Sequence, residues 1–503
     1  MSLGQHFVIN TTGANRTTIV KNERDVIFEN GLTPSVGVFL KRGKGALTIK
    51  VRDGDVLSNS DGYASFGSDS ASIILDEDGT PTNRLCAAFT AVEGKLIFKP
   101  AVAGTHPSIS MNNTLVSGIK VPVPSQVQPE FVFEDVTVNA ANKMFWLAHG
   151  CNADGEAKFP ALRLVNATLN LSTLSVGTWA YATDGGPTLA LTNATIKAAT
   201  LHLTRSNSTR SPVRLTGSHA RLECRTTDAI AINGAMHCDV SDTFIGWSDG
   251  VSRTMRGNDQ YTGDQIWTFR DGSELAVGAF TNLLGNNNSR AFIFENALWN
   301  VGSNDLTLGS AITLPGKFSV TAAGTTGLVM RIDAGKTMTF AEVPLTGTGG
   351  LVKQGAGTVA FDAGMLKCTG KLVAEAGVLD LSAAGGVTNA VVGGGDGTIL
   401  GGVFQDAVLL LDANPETWEV ASTPLFADCS FAGRTTVSFT LDDLAGMPSP
   451  SPKHILVARY SGPKPDVSGW KLSGPANISG LFVAANNEIR MDVQHTGFML
   501  YLR

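Results

Sequence analysis

The stretch LRLVNATLNL, Leu162 to Leu171, decides the fold. Leu162 and Leu164 alternate with outward positions, Asn166 interrupts, and Leu169 and Leu171 resume the alternation. A period of two is the mark of a strand with one buried face. Asn is one of the few residues that enters left-handed backbone angles readily, so the phrase reads as two short strands bent at a corner. It returns as FVFEDVTVNA from Phe131, LALTNATIKA from Leu189, VRLTGSHARL from Val213, WTFRDGSELAV from Trp267 and FIFENALWNV from Phe292. The starts differ by 31, 27, 24, 54 and 25 residues, and 54 spans two periods. The intermediate copy falls near MHCDVSDTFIGW, Met236 to Trp247, where the phrase is poorly formed. Weaker copies begin at Val26, Ala71 and Gly316.

One such unit cannot bury its own apolar face. Stacked units pair strand on strand, about 4.8 Å apart, and bury a continuous column of Val, Ile, Leu and Phe. The expected fold class is therefore all-β: a single-stranded, right-handed parallel β-helix (β-solenoid) of about 16 coils at that spacing, with a small antiparallel β-rich C-terminal cap. An antiparallel sandwich also has short strands and frequent turns, but it does not predict a phrase returning every 24–27 residues.

Composition agrees. Apolar residues are 43% of the 503 and charged residues only 16%, with 56 glycines, a balance that favours turns and strands over long solvated helices. The net charge of −6 comes with no basic block, so no nucleic-acid partner is expected. No run of about 18 apolar residues exists to span a membrane as a helix. Six dispersed cysteines, with no CxxC, read as buried thiols more readily than as a zinc site or redox pair. A bridge between Cys224 and Cys238 is the alternative.

The stretch GTGGLVKQGAGTVAF, Gly347 to Phe361, asks whether its glycines cradle a phosphate, loosen a linker or mark corners. No G-x-x-x-x-G-K-[ST] is present, and alternation at Leu351, Val359 and Phe361 excludes a linker. Corners remain, where a side chain would strike the neighbouring coil. Residues 347–381 resemble the autotransporter-associated β-strand repeat. Gly347, Gly349, Leu351, Lys353, Gly355, Gly357 and Thr358 fall on its first half, and Thr369, Gly370, Gly377, Leu379 and Leu381 on its second. Val359 and Phe361 replace Leu positions, and the match covers about 35 residues. The resemblance implies a passenger-type β-helix, extracellular or on the outer cell surface, with its signal peptide removed. It implies an adhesive or structural role, and a terminal β-rich module. The expected divisions are 1–60 (N-terminal cap and first coils), 61–402 (parallel β-helix) and 403–503 (C-terminal capping module, with a hairpin at Ala-Asn-Asn-Glu).

β-Helices also host polysaccharide lyases and glycoside hydrolases, which need facing carboxylates. The best local candidate is His237 to Trp267, read as a loop inserted between coils. Asp239, Asp242 and Arg253 are its weak catalytic candidates. Trp247, Asp249, Arg256, Asp259, Tyr261 and Asp264 are its ligand-binding candidates, with the aromatic rings stacking on sugar faces and the charged groups bonding hydroxyls or uronates. The plainer reading is a solvated loop with Asx-turns and local ion pairs. No resident cofactor is expected. DEDGTPTN, from Asp76, hints at Ca2+ but lacks EF-hand spacing. Three functions follow in order: a non-enzymatic adhesin or structural passenger binding a polysaccharide or surface glycan, a polysaccharide-degrading enzyme, and a trimeric phage-type spike.

Overall fold

A computed structural model describes residues 1–3, 7–9, 17–34, 38–57, 88–111, 114–119, 127–149, 160–176, 186–204, 212–257, 263–281, 289–310, 317–414, 417–440, 452–474 and 478–495. The fold is all-β, without a helix among the described residues, and most strand pairs are parallel. The chain divides into two compact units, Met1–Ala291 and Phe292–Arg503.

In the first unit the recurring phrase becomes a register. Leu162 pairs in parallel with Phe131 on one side and Leu189 on the other, and the series continues through Leu215, Cys238 and Trp267. Past the corner, Val138, Leu169, Ile196, Leu222, Ile245 and Leu275 form a second series. All these side chains are buried. Each large one contributes about 1.5–3 kcal/mol by leaving water, so the column is the main source of cohesion.

The corners adopt the expected backbone. Asp135, Asn166, Asn193, His219 and Asp242 have φ between 42° and 52°, and Gly272 continues the series at 73°. Two details differ from the sequence reading. The copy from Val213 turns at His219 and not at Gly217, which occupies an inward position where a Cβ would stand 3.1 Å from Val240 Cγ1. Met236–Trp247, expected to be disturbed, is a complete copy with its corner at Asp242, and it pairs with Val213–Cys224 along nearly its whole length. Cys238 and Val240 hold its inward positions where most other copies carry Leu or Phe, which is why the phrase was hard to see.

In the second unit the strands recur in cyclic order. Gly386–Thr388, Val391–Gly393 and Thr398–Leu400 are followed by Val403–Gln405, Val408–Leu411 and Leu425–Ala427. Then come Ser430–Ala432, Thr436–Phe439 and Ile455–Ser461. Each strand pairs in parallel with its counterpart in the next set. Parallel pairing thus runs past Gly402 as far as Lys471–Leu472, where the sequence led to an expectation of antiparallel strands. The strands there are short and unequally spaced, so no period betrays them. The hairpin is as expected: Ile478–Ala485 pairs antiparallel with Glu488–His495 through Asn486 and Asn487, both at positive φ.

Glycines of the repeat-like stretch 347–381 stand where the backbone turns at positive φ. At Gly355 (φ 75°) a Cβ would lie 2.3 Å from the Ile332 carbonyl oxygen, and at Gly377 (φ 67°) 2.3 Å from that of Gly357. The neighbouring backbone fills the space.

Candidate functional site

Among the described residues singled out between His237 and Trp267, Asp239, Asp242 and Trp247 lie on the strand Met236–Trp247 and Arg253 and Arg256 on the strand Arg253–Arg256. Asp239 points outward from the strand Met236–Trp247, and its carboxylate accepts two hydrogen bonds from Arg270, from Nε at 2.7 Å and Nη2 at 3.3 Å. Asp242 occupies the left-handed corner and pairs with His219 Nδ1. Arg253 holds Asp249 in a bidentate pair at 2.8 and 2.5 Å, and Asp249 also accepts from the Val251 amide. The Arg253 guanidinium, through that hydrogen bond, holds the Asp249 carboxyl at about 2. The three catalytic candidates are each engaged with a different neighbour, Asp239 with Arg270, Asp242 with His219 and Arg253 with Asp249. A dyad that splits a glycosidic bond needs two carboxylates converging on one site.

Trp247 is a correction. It is 1% exposed, and its Nε1 donates to the Asp228 carbonyl at 3.0 Å. A ring enclosed in this way has no free face for a sugar. Asp264 is exposed and accepts from the Ser289 amide at 2.9 Å. Arg256 is exposed at the end of its strand, Arg253–Arg256. Asp259, Tyr261 and the DEDGTPTN stretch lie outside the described residues, as do Cys86 and Cys151. Cys224, Cys238, Cys368 and Cys429 are free thiols, so Cys224 and Cys238 do not bridge. Burial pushes the Cys368 and Cys429 thiols up to about 12. Among the described residues, no three His, Cys, Asp or Glu side chains gather as a metal site.

A different surface is more ordered. Along the corners, Asn166 Nδ2 donates to Asp135 Oδ1 at 3.0 Å and Asn193 Nδ2 to Asn166 Oδ1 at 2.8 Å. Just past the corners, Thr137, Thr168 and Thr195 stand in register, followed by Asn139, Asn170 and Lys197. A second amide ladder joins Asn170 to Asn139 and Asn139 to Ser108, both at 2.9 Å. His106, whose Nε2 lies 3.2 Å from Thr137 Oγ1, closes one end. His106, Asn166, Ala167, Thr168, Asn193 and Thr195 line a groove of ≈ 210 Å³. The rows continue to Arg221, which bonds Glu223 and lies 4.4 Å over the Phe244 ring.

This surface presents hydroxyls and amides at the spacing of paired strands, a repeat suited to an extended polar chain running across them. Sequence reasoning used the phrases NATLNL and NATIKA only for their period. Their outward Thr and Asn were the signal for the groove. No protein-family model matches the chain, and no curated protein matches it.

Proposed function

We propose that the chain is a right-handed, single-stranded parallel β-helix of the autotransporter-passenger kind. It acts outside the cell or on its outer surface as a non-enzymatic, glycan-binding adhesin. The cyclic strand order of the second unit supports the β-helix, since a chain wound round one axis returns each strand beside its predecessor. The right hand follows from the twist preference of parallel crossover connections. The observation that carries the binding reading is the ladder of Asn166, Asn193, Thr168 and Thr195 beside His106. Such rows offer a polysaccharide many equivalent hydrogen bonds without reshaping the coil.

The carboxylates of Asp239, Asp242 and Asp249 are used in corner and ion-pair contacts, which favours binding over hydrolysis. The test is a broad polysaccharide and glycan array with wild type and with Thr168→Val plus Thr195→Val, which keeps β-branched shape and removes both hydroxyls. Selective binding that falls in the variant supports the reading, and product analysis on the bound glycan separates adhesin from enzyme. A blank array, or binding untouched by the variant, removes the groove from consideration.

A further inference from the structure

Among the described residues, two lysines have no exposed surface at all, Lys41 in the first unit and Lys353 in the second. Lys353 Nζ donates to the carbonyls of Gln354 (2.7 Å), Gly355 (2.8 Å) and Ala376 (3.2 Å). Lys41 Nζ donates to those of Arg42 (3.0 Å), Gly43 (2.5 Å) and Glu93 (2.9 Å). The two sets are equivalent atom for atom: the next residue, the glycine after it, and one carbonyl on the adjoining coil.

The agreement extends to the backbone. Lys353 pairs with Ala374 and Lys41 with Ala91. The Lys353 carbonyl accepts from Glu375 and Ala376, and the Lys41 carbonyl from Val92 and Glu93. Gly355 and Gly43 both have positive φ (75° and 84°), as do Gly377 and Gly94 on the adjoining coil (67° and 65°). Gly357 donates to the Ile332 carbonyl and Gly45 to that of Asn22, both at 3.0 Å. In sequence the shared pattern is K-x-G-x-G, then Ala or Thr, then a strand.

We infer that residues 40–49 with 91–98, and residues 352–361 with 374–381, are two copies of one corner module, locked shut by a buried lysine ammonium that holds three carbonyls across two coils. An ammonium has three donors and no acceptor, which matches the three oxygens. The glycines let the backbone fold over it, and no side chain but an unbranched one reaches the centre. Around Lys41 the charged neighbours are Glu93, Glu23 and Asp25, with Arg42 paired to Glu93. Around Lys353, Gln354 donates to Glu375 at the rim. The lock itself needs no carboxylate.

The test begins with wild-type protein and an amine-acetylating reagent, read by mass spectrometry. Lys41 and Lys353 should label at least about tenfold more slowly than the exposed Lys44, Lys95 and Lys367. Lys353→Met should then speed amide exchange at Glu375 and Ala376 about tenfold or more, leaving Val92 and Glu93 unchanged. Lys41→Met should do the reverse. Labelling of the two lysines at the rate of the exposed ones overturns the lock, as does unchanged exchange in both variants.

Discussion

Asn166 carries two separable contributions, and two substitutions pull them apart. Its backbone sits at φ 47°, its amide donates to Asp135, and its carbonyl oxygen accepts from Asn193. Alanine in a left-handed position costs about 1 kcal/mol more than Asn, which visits that region readily. Each lost hydrogen bond, both being solvent-exposed, adds about 0.5–1 kcal/mol. Asn166→Ala should therefore destabilise the corner by about 2–3 kcal/mol. Asn166→Gly loses the same bonds but meets no left-handed penalty, so it should cost only about 1–2 kcal/mol. The assay is native-state hydrogen exchange at Asn166, Thr168 and Thr195, whose amides donate to Thr192, Val136 and Ala167 across the coils. Alanine should accelerate local opening about 30- to 150-fold and glycine about tenfold, at roughly 1.4 kcal/mol per factor of ten. Equal acceleration by the two refutes the backbone half of the reasoning. No acceleration by either refutes the ladder half.

Gly377→Ala should cost about 3 kcal/mol in denaturant unfolding, from positive φ together with a Cβ 2.3 Å from the Gly357 carbonyl oxygen. Trp247→Ala should cost about 3–5 kcal/mol as an enclosed core residue, lowering the melting temperature whatever glycan is present. Lys41 and Lys353 are each lowered by burial from 10.5 to about 8. Between those pH values the unfolded chain holds a proton that the folded chain lacks, so wild-type stability should rise with pH relative to Lys353→Met. Two lysine Nζ resonances should titrate near 8, one of them missing from that variant. Asp249 is lowered to about 2 by the Arg253 hydrogen bond, so its contribution is full above its unfolded value of 3.8 and fades as pH falls through about 2. Carbon-13 titration of its carboxyl should show that midpoint and return towards 3.8 in Arg253→Gln.

How far the sequence can be read depends on whether a physical demand restricts the residue. A left-handed corner restricts it strongly, so Asp135, Asn166 and Asn193 announced the period. His219 took a corner that tolerates it less well and displaced the reading by two residues, onto Gly217. The lysine lock is equally demanding, yet only one copy was visible. Lys353 reaches a carbonyl 23 residues on, about one coil, whereas Lys41 reaches one 52 residues on. The extra chain breaks the period without breaking the corner.

The candidate site was misread for a related reason. Trp247 near several acidic residues looks like a sugar platform when the stretch is taken alone. Counted from the corner, it is an inward position. Leu171, Ala198, Cys224 and Trp247 each lie five residues after Asn166, Asn193, His219 and Asp242, and they pair in register through the stack. Residues two and four after the corner, such as Thr168 and Asn170, are the outward ones, and these line or flank the groove. In these paired strands the distance from a corner, and not local composition, decides whether a side chain faces outward or into the core. Thr168→Val and Trp247→Ala therefore test opposite sides of one strand geometry. The first should change what the surface binds, and the second should change only whether the coils hold.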